Sequence, residues 1–424
     1  MSSKFNRNVL TLATGVSIGQ AIPIVISPVL TRLYTPEDFG ILALFLSIST
    51  LVSVIASGRY EQAIMLPEDQ TEALQLSIIS WIIAVLTCSI MLLSIIVFHD
   101  QVMGLIRNNA LKIYIYFTPL LTLSLATFNI QNVLATRLKA FSTLANVSVL
   151  KSIVSGSIQL AAGFYRSHPS GLISGQILGS ISQNASLFLK LKNSIKTLSV
   201  PNWHTTKALL KRYIRFPQYS VAAVLSNTLT QNILNISVSS IFTIQLLGFY
   251  SFANRILILP MNFLGNSIGQ VFFQEATREK NESGSSLKTL KATFWKLLVI
   301  SLTGFGILHL FVEEMFTFVF GADWALAGLL AKHLIPMITA KFIVSPLSAI
   351  NNIYNKQYIS LIWQVGYLVL TVTGLSIVFI YDLEFTKFVS VYALAMMVYY
   401  FLMLPFLFIH ARGDTSRGKD ADHA

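Results

Sequence analysis

Five basic side chains stand in or beside long apolar runs of this sequence: Arg32, Arg59, Lys151, Arg255 and Lys341. A cation at bilayer depth is costly unless it faces protein or water. Turned inward, toward a wet chamber, such groups select an anionic solute and grip its oxygens through charge-assisted hydrogen bonds. Turned outward, their long stems carry the charge to the headgroup region instead. The residues alone leave both placements open. Asn227, Gln231 and Asn235 recur at i, i+4 and i+8 and form a polar stripe on one helix face. Amides so placed suit a hydroxylated ligand such as a sugar, and hydrogen bonds between helices account for them equally well.

Acids are scarce in the same runs. Glu61, in Arg59-Tyr60-Glu61, is the candidate for proton or sodium coupling or for a gate, with a structural ion pair as the competing reading. Arg59 and Glu61 are two apart, so on a continuing helix they do not share a face. Each is then expected to pair with other helices or to close a gate. No Walker A sequence, His-Glu-x-x-His, Gly-x-Ser-x-Gly or Cys-His cluster of metal spacing occurs. The single cysteine, Cys88, rules out a disulfide framework. These observations argue against an enzyme and against a metal site.

The elements that carry these residues follow from composition. The 424 residues are 54% hydrophobic and 11% charged, where a soluble chain carries about 25% charged residues. Lipid is the solvent that accommodates such a chain. Twelve helical candidates read as 9–30, 39–58, 73–98, 111–134, 144–164, 171–189, 214–236, 241–263, 292–312, 326–350, 358–380 and 386–409. Most reach the roughly 20 residues needed to cross a hydrocarbon core. They are too long and too evenly apolar for barrel strands. The first is expected to be a retained helix, kinked at Pro23, with Gly15 and Gly19 allowing a neighbour to approach.

The net charge of +12 comes from 30 Lys and Arg against 18 Asp and Glu. With the N-terminus inside, 21 of the 30 basic residues fall on the inner side and 5 outside, a strong positive-inside signal. This places both termini in the cytoplasm and explains the basic excess without nucleic acid. Lys190 to Lys211 is the longest basic segment and divides the chain into an N-terminal six-helix lobe (1–192), a cytoplasmic basic linker (193–210), a C-terminal six-helix lobe (211–411) and a cytoplasmic tail (412–424). The stretch Gln274 to Lys296 reads as a solvated, partly helical excursion, and Glu313 and Glu314 as residues of an outer loop. A weak repeat supports two lobes: at a shift of 208 residues, Tyr34 falls on Phe242, Gly40 on Gly248, Ile48 on Ile256 and Leu51 on Leu259.

The first hairpin is the most distinctive stretch. Thr35 is placed to cap a helix opened by Pro36, with Asp38 in its first turn. The runs Pro28-Val29-Leu30-Thr31-Arg32-Leu33-Tyr34-Thr35-Pro36-Glu37-Asp38-Phe39-Gly40 and Arg59-Tyr60-Glu61-Gln62-Ala63-Ile64-Met65-Leu66-Pro67 resemble the bacterial polysaccharide flippases. These are the O-antigen or capsular repeat-unit transporters of the Wzx type, in the multidrug/oligosaccharidyl-lipid/polysaccharide exporter superfamily. The resemblance implies a fold like that of the multidrug and toxin extruders and an inner-membrane location. It implies an undecaprenyl-diphosphate-linked oligosaccharide as cargo, moved between leaflets by alternating access with H+ or Na+ coupling and no other cofactor. Arg32 and Arg59 carry the family's basic positions. It further implies a monomer surrounded by membrane lipids, with a polysaccharide polymerase as candidate partner. The alternatives are a multidrug or cation antiporter and a lipid II-type flippase of the same superfamily.

Overall fold

The computed structural model describes residues 2–106, 109–195 and 203–413, and they are helical almost throughout. The residues form two compact units, 1–248 and 249–424. Among the described residues, nine helical segments are long and apolar enough to cross a membrane. The chain is an all-α polytopic membrane protein.

In the first unit, α1 (Ser2–Val25) passes through Pro23 and breaks at Ile26; α2 (Ser27–Leu33) restarts with Pro28 in its first turn. The α3 helix (Pro36–Ser53) opens with a reciprocal capping box. Thr35 N–H donates to Asp38 Oδ2 at 2.8 Å, and Asp38 N–H donates to Thr35 Oγ1 at 3.3 Å. Two otherwise orphaned donors are thus satisfied, which fixes where the helix starts. The helices α4 (Gln70–Val97), α5 (Thr118–Arg137), α6 (Phe141–Tyr165), α7 (Pro169–Ile195), α8 (Trp203–Arg212) and α9 (Val221–Ile241) follow. The pairs α6–α7, α1–α6, α4–α5 and α5–α7 pack against each other, and α3 packs on both α5 and α9.

The α10 helix (Ile244–Pro260) begins in the first unit and continues in the second. Its Gly248 crosses α3 at Gly40 with no room for a side chain. A Cβ on Gly40 would overlap the Ile244 carbonyl, 2.8 Å from its carbon, and lie 3.1 Å from Gly248 N. A Cβ on Gly248 would overlap the Pro36 carbonyl, 2.7 Å from its carbon, and lie 3.0 Å from Gly40 N. The contact is reciprocal, and its four residues are related by the 208-residue shift seen in the sequence.

In the second unit, a turn of wider helix at Met261–Gly265 leads into α11 (Asn266–Ser283), which ends at Gly284 in the left-handed conformation, φ 74°. Two long helices, α12 (Leu287–Phe320) and α13 (Ala325–Leu347), pack on each other, and α14 (Gln357–Tyr381) and α15 (Phe385–Ala411) complete the unit. The α13 helix is apolar on every side and is the most buried element, as expected for a helix enclosed by others. Phe252, Phe316 and Phe320 pack edge to face at its start, and Trp324 packs at a tilt on Phe252.

The apolar residues left outside mark the lipid face. On α4, Trp81, Ile82, Leu86, Ile90 and Leu93 are exposed; on α12, Val299, Leu302, Leu310 and Phe311 are exposed. Patches of this size are rare on a soluble monomer and are ordinary where hydrocarbon is the solvent.

Three expectations change. The stretch read as a solvated excursion is mostly helix: α11 runs to Ser283 and α12 starts at Leu287. Arg278 pairs with Glu282 at 3.0 Å along one face of α11, the spacing that supports a polar helix. Glu313 and Glu314 lie within α12, because that helix is 34 residues long and runs past the expected end of its span. Of the basic linker 193–210, residues 196–202 lie outside the described residues. Its later part is helix α8, with Leu209 buried in a cluster that includes Leu74, Leu134 and Leu187. Residues 414–424 of the tail also lie outside the described residues.

Candidate functional site

The conformation after α3 decides how Arg59 and Glu61 meet. Gly58 and Arg59 both adopt left-handed backbone, φ 61° and 62°. For arginine this costs on the order of 1 kcal/mol. A 3-10 helix, Tyr60–Met65, follows. The helix has therefore ended, and the rule that residues two apart face different ways no longer applies. Arg59 Nη1 lies 3.0 Å from Glu61 Oε1, and Ser57 Oγ donates to Glu61 Oε2. The expectation that these two side chains pair with other helices is corrected: they pair with each other. Glu61 is 1% exposed. Arg59 Nε is buried without a hydrogen-bond partner among the described residues.

A third residue ties this segment down, and nothing in the sequence reading singled it out. Arg137, at the end of α5, donates from Nη1 to Ile64 O at 3.0 Å and from Nη2 to Pro67 O at 2.6 Å. A guanidinium with several donors in a fixed fork satisfies carbonyls that no helix satisfies here. Tyr60 is fixed from another side, its hydroxyl donating to Leu210 O of α8 at 3.2 Å. Burial pushes the Tyr60 phenol above its ordinary pKa.

The remaining cations behave differently. Lys151 on α6 and Lys341 on α13 are half-buried, and Arg255 on α10 is exposed. No hydrogen bond or ion pair to any of the three occurs among the described residues. Lys332 provides the contrast. It too lies within an apolar helix, α13, and its Nζ is 2.7 Å from Glu313 Oε1 of α12. Arg32 is exposed at the end of α2 and donates to Pro28 O at 2.6 Å.

The amide stripe holds its register on α9. Gln231 Nε2 donates to Asn227 Oδ1 at 3.4 Å, while Asn235 Nδ2 donates to Ser47 Oγ of α3 at 2.9 Å. Asn235 is therefore engaged in joining two helices, whereas Gln231 is exposed. Among the described residues no group of His, Cys, Asp and Glu could hold a metal ion.

Comparison with known proteins gives a consistent result. The polysaccharide biosynthesis protein family matches residues 29–327. No curated protein matches the chain. Solved structures with the same fold include the lipid II flippase MurJ in an inward closed conformation, at 13% identity, covering 94% of this chain and 87% of that one, with a TM-score of 0.68. An inward-facing multidrug resistance MATE family transporter of the MOP superfamily matches at 14% identity, 94% and 95% coverage and a TM-score of 0.56. A MOP superfamily transporter from Pyrococcus furiosus, reported to have a binding pocket of reverse polarity, matches at 14% identity, 95% and 94% coverage and a TM-score of 0.54.

Proposed function

Because the chain belongs to the polysaccharide biosynthesis protein family, we propose that it is a secondary transporter that flips an undecaprenyl-diphosphate-linked oligosaccharide from the cytoplasmic to the periplasmic leaflet. It works by alternating access, with twelve crossings in two six-helix lobes and both termini in the cytoplasm. The observation that carries the reading is the set of unpaired cations in apolar helices. Lys332 has its carboxylate; Lys151, Arg255 and Lys341 have none among the described residues. A cation in such a helix is stable when an anion or water meets it, and a pyrophosphate brings two negative phosphoryl groups. An apolar cation as cargo calls for the opposite sign, which disfavours a multidrug antiporter. Gln231 and Asn227 supply amides for sugar hydroxyls, and H+ or Na+ supplies the driving gradient.

The test is translocation of a labelled pyrophosphoryl-linked glycan in liposomes, with and without imposed H+ and Na+ gradients. The combined substitution Lys151→Gln, Arg255→Gln, Lys341→Gln is expected to slow head-group transfer at least about tenfold at equal protein level. An unchanged rate removes the charge argument.

A further inference from the structure

A cavity of about 400 Å³ opens among α4, α5 and α7 within the first unit, and none of Lys151, Arg255 and Lys341 lines it. Its walls are apolar: Leu74, Trp81, Ile130, Leu134 and Phe188 contribute most of them. Trp81 and Phe188 are 46% and 51% exposed, and they lie on the side where α4 shows its row of bare aliphatic residues. The cavity is therefore open to hydrocarbon.

Two features distinguish it from a groove that any acyl chain would fill. The first is Gln131, which lines the cavity. Its Oε1 is buried without a hydrogen-bond partner among the described residues. Hydrocarbon cannot satisfy that amide, and buried polar groups are normally paired. The other end of the same amide, Nε2–H, likewise has no partner among the described residues and is the end left to donate to an acceptor such as an ester carbonyl. The second feature is charge at the adjacent helix end. Lys192 follows Phe188 on α7 and is exposed, whereas Lys190, two residues from each, faces the other side of the helix. Lys192 is four residues beyond Phe188, so it lies on the same face one turn further along, about 6 Å along the axis. Glu72, the acid in the first turn of α4, is already paired with Arg212 at 3.2 Å. Glu68 and Asp69 are exposed on the loop before α4; Asp69 caps that helix by accepting from Thr71 N–H at 3.0 Å.

We propose that this cavity is a binding site for an anionic glycerophospholipid. One acyl chain lies between Trp81 and Phe188, a glycerol ester meets the Gln131 amide, and the phosphate meets Lys192. The order of groups along the site, hydrocarbon then amide then ammonium, matches the order of groups along such a lipid. Interfacial basic residues near a helix end favour anionic headgroups for the same reason.

The probe is phosphatidylglycerol carrying bromine on its acyl chains, titrated into the full chain in detergent micelles. Bromine quenches tryptophan fluorescence only on close approach. The quenching lost in Trp81→Phe isolates the signal of the site. Saturable quenching of that component is expected, with half-saturation raised at least fivefold in Lys192→Gln and in Gln131→Leu and unchanged in Lys190→Gln. Brominated phosphatidylcholine should require at least a fivefold higher concentration. The two lysines are exposed, so their substitution leaves the fold intact. Quenching that rises without saturation, equal half-saturation for the two lipids, or no shift in Lys192→Gln each overturns the proposal.

Discussion

Removing the carboxylate of Glu61 tests how the segment after α3 is held. Glu61 is 1% exposed and its partner Arg59 has a side chain 15% exposed. At 3.0 Å and an effective dielectric constant near 20, their gross attraction is about 5.5 kcal/mol, most of it offset by desolvation. Deleting one member of a buried pair costs about 3–5 kcal/mol because the other charge is stranded. Arg59 keeps some access to water, so Glu61→Ala should cost roughly 3 kcal/mol, at the lower end of that range. Glu61→Gln keeps the size and an acceptor for Ser57 and should cost about half as much. The double variant Arg59→Met, Glu61→Leu strands no charge and should lie within about 1 kcal/mol of the parent. The assay is a double-mutant cycle on unfolding in detergent, its four corners the parent, Arg59→Met, Glu61→Leu and the double variant. A coupling energy of about 2 kcal/mol or more is expected. Additive losses would refute the pairing. If Glu61→Gln unfolds like the parent yet no longer moves substrate, the residue is a gate and not a structural partner.

Two further outcomes follow from other contacts. Gly248→Ala must part α3 and α10 by roughly 1 Å, since the new carbon would lie 2.7 Å from the Pro36 carbonyl carbon where about 3.5–4.0 Å is normal. Both neighbours are backbone and cannot rotate away, so the loss should be at least about 3 kcal/mol, read as folded yield in detergent; parent-like yield would contradict the crossing. Tyr34 is buried and its hydroxyl donates to Gln159 O at 2.7 Å. Burial, with the Asp38 carboxylate, pushes its pKa from 10.0 up to about 12. A raised folded-state value means that its stabilisation is complete below pH 10 and lost as pH climbs toward 12. The parent should lose roughly 2–3 kcal/mol across that window, and Tyr34→Phe should show a flatter unfolding profile over the same range.

Much of the architecture was legible because it rests on local rules. Each of the twelve apolar runs overlaps helix, since length and hydropathy decide that, and nine of the described helical segments are long and apolar enough to cross a membrane. The capping box at Thr35 and Asp38 was readable from residue type and spacing. Gly15 meets Ala145 and Gly19 meets Ser148 in the close approach their size permits. The segment 57–69 was not legible, because its geometry depends on two left-handed residues, one of them an arginine that no propensity places there. By type and position Arg137 is one more basic residue on the inner side. Its role as a clamp depends on carbonyls about 70 positions away, which no spacing rule connects. The pairing of Lys332 with Glu313 is hidden for a related reason: the apolar run ends at 312, before the acid, whereas the helix itself runs on past it.

The crossing of α3 and α10 carries a consequence of its own. Exchange residues 36–40 with 244–248 and the contact maps onto itself: carbonyl against glycine, glycine against carbonyl. That is the signature of an isologous seam, the kind two identical subunits make across a dyad, here enclosed in a single polypeptide. Each glycine is the other's clearance. A methyl gained at either place presses on the same few atoms, so neither position can drift while its counterpart stays fixed.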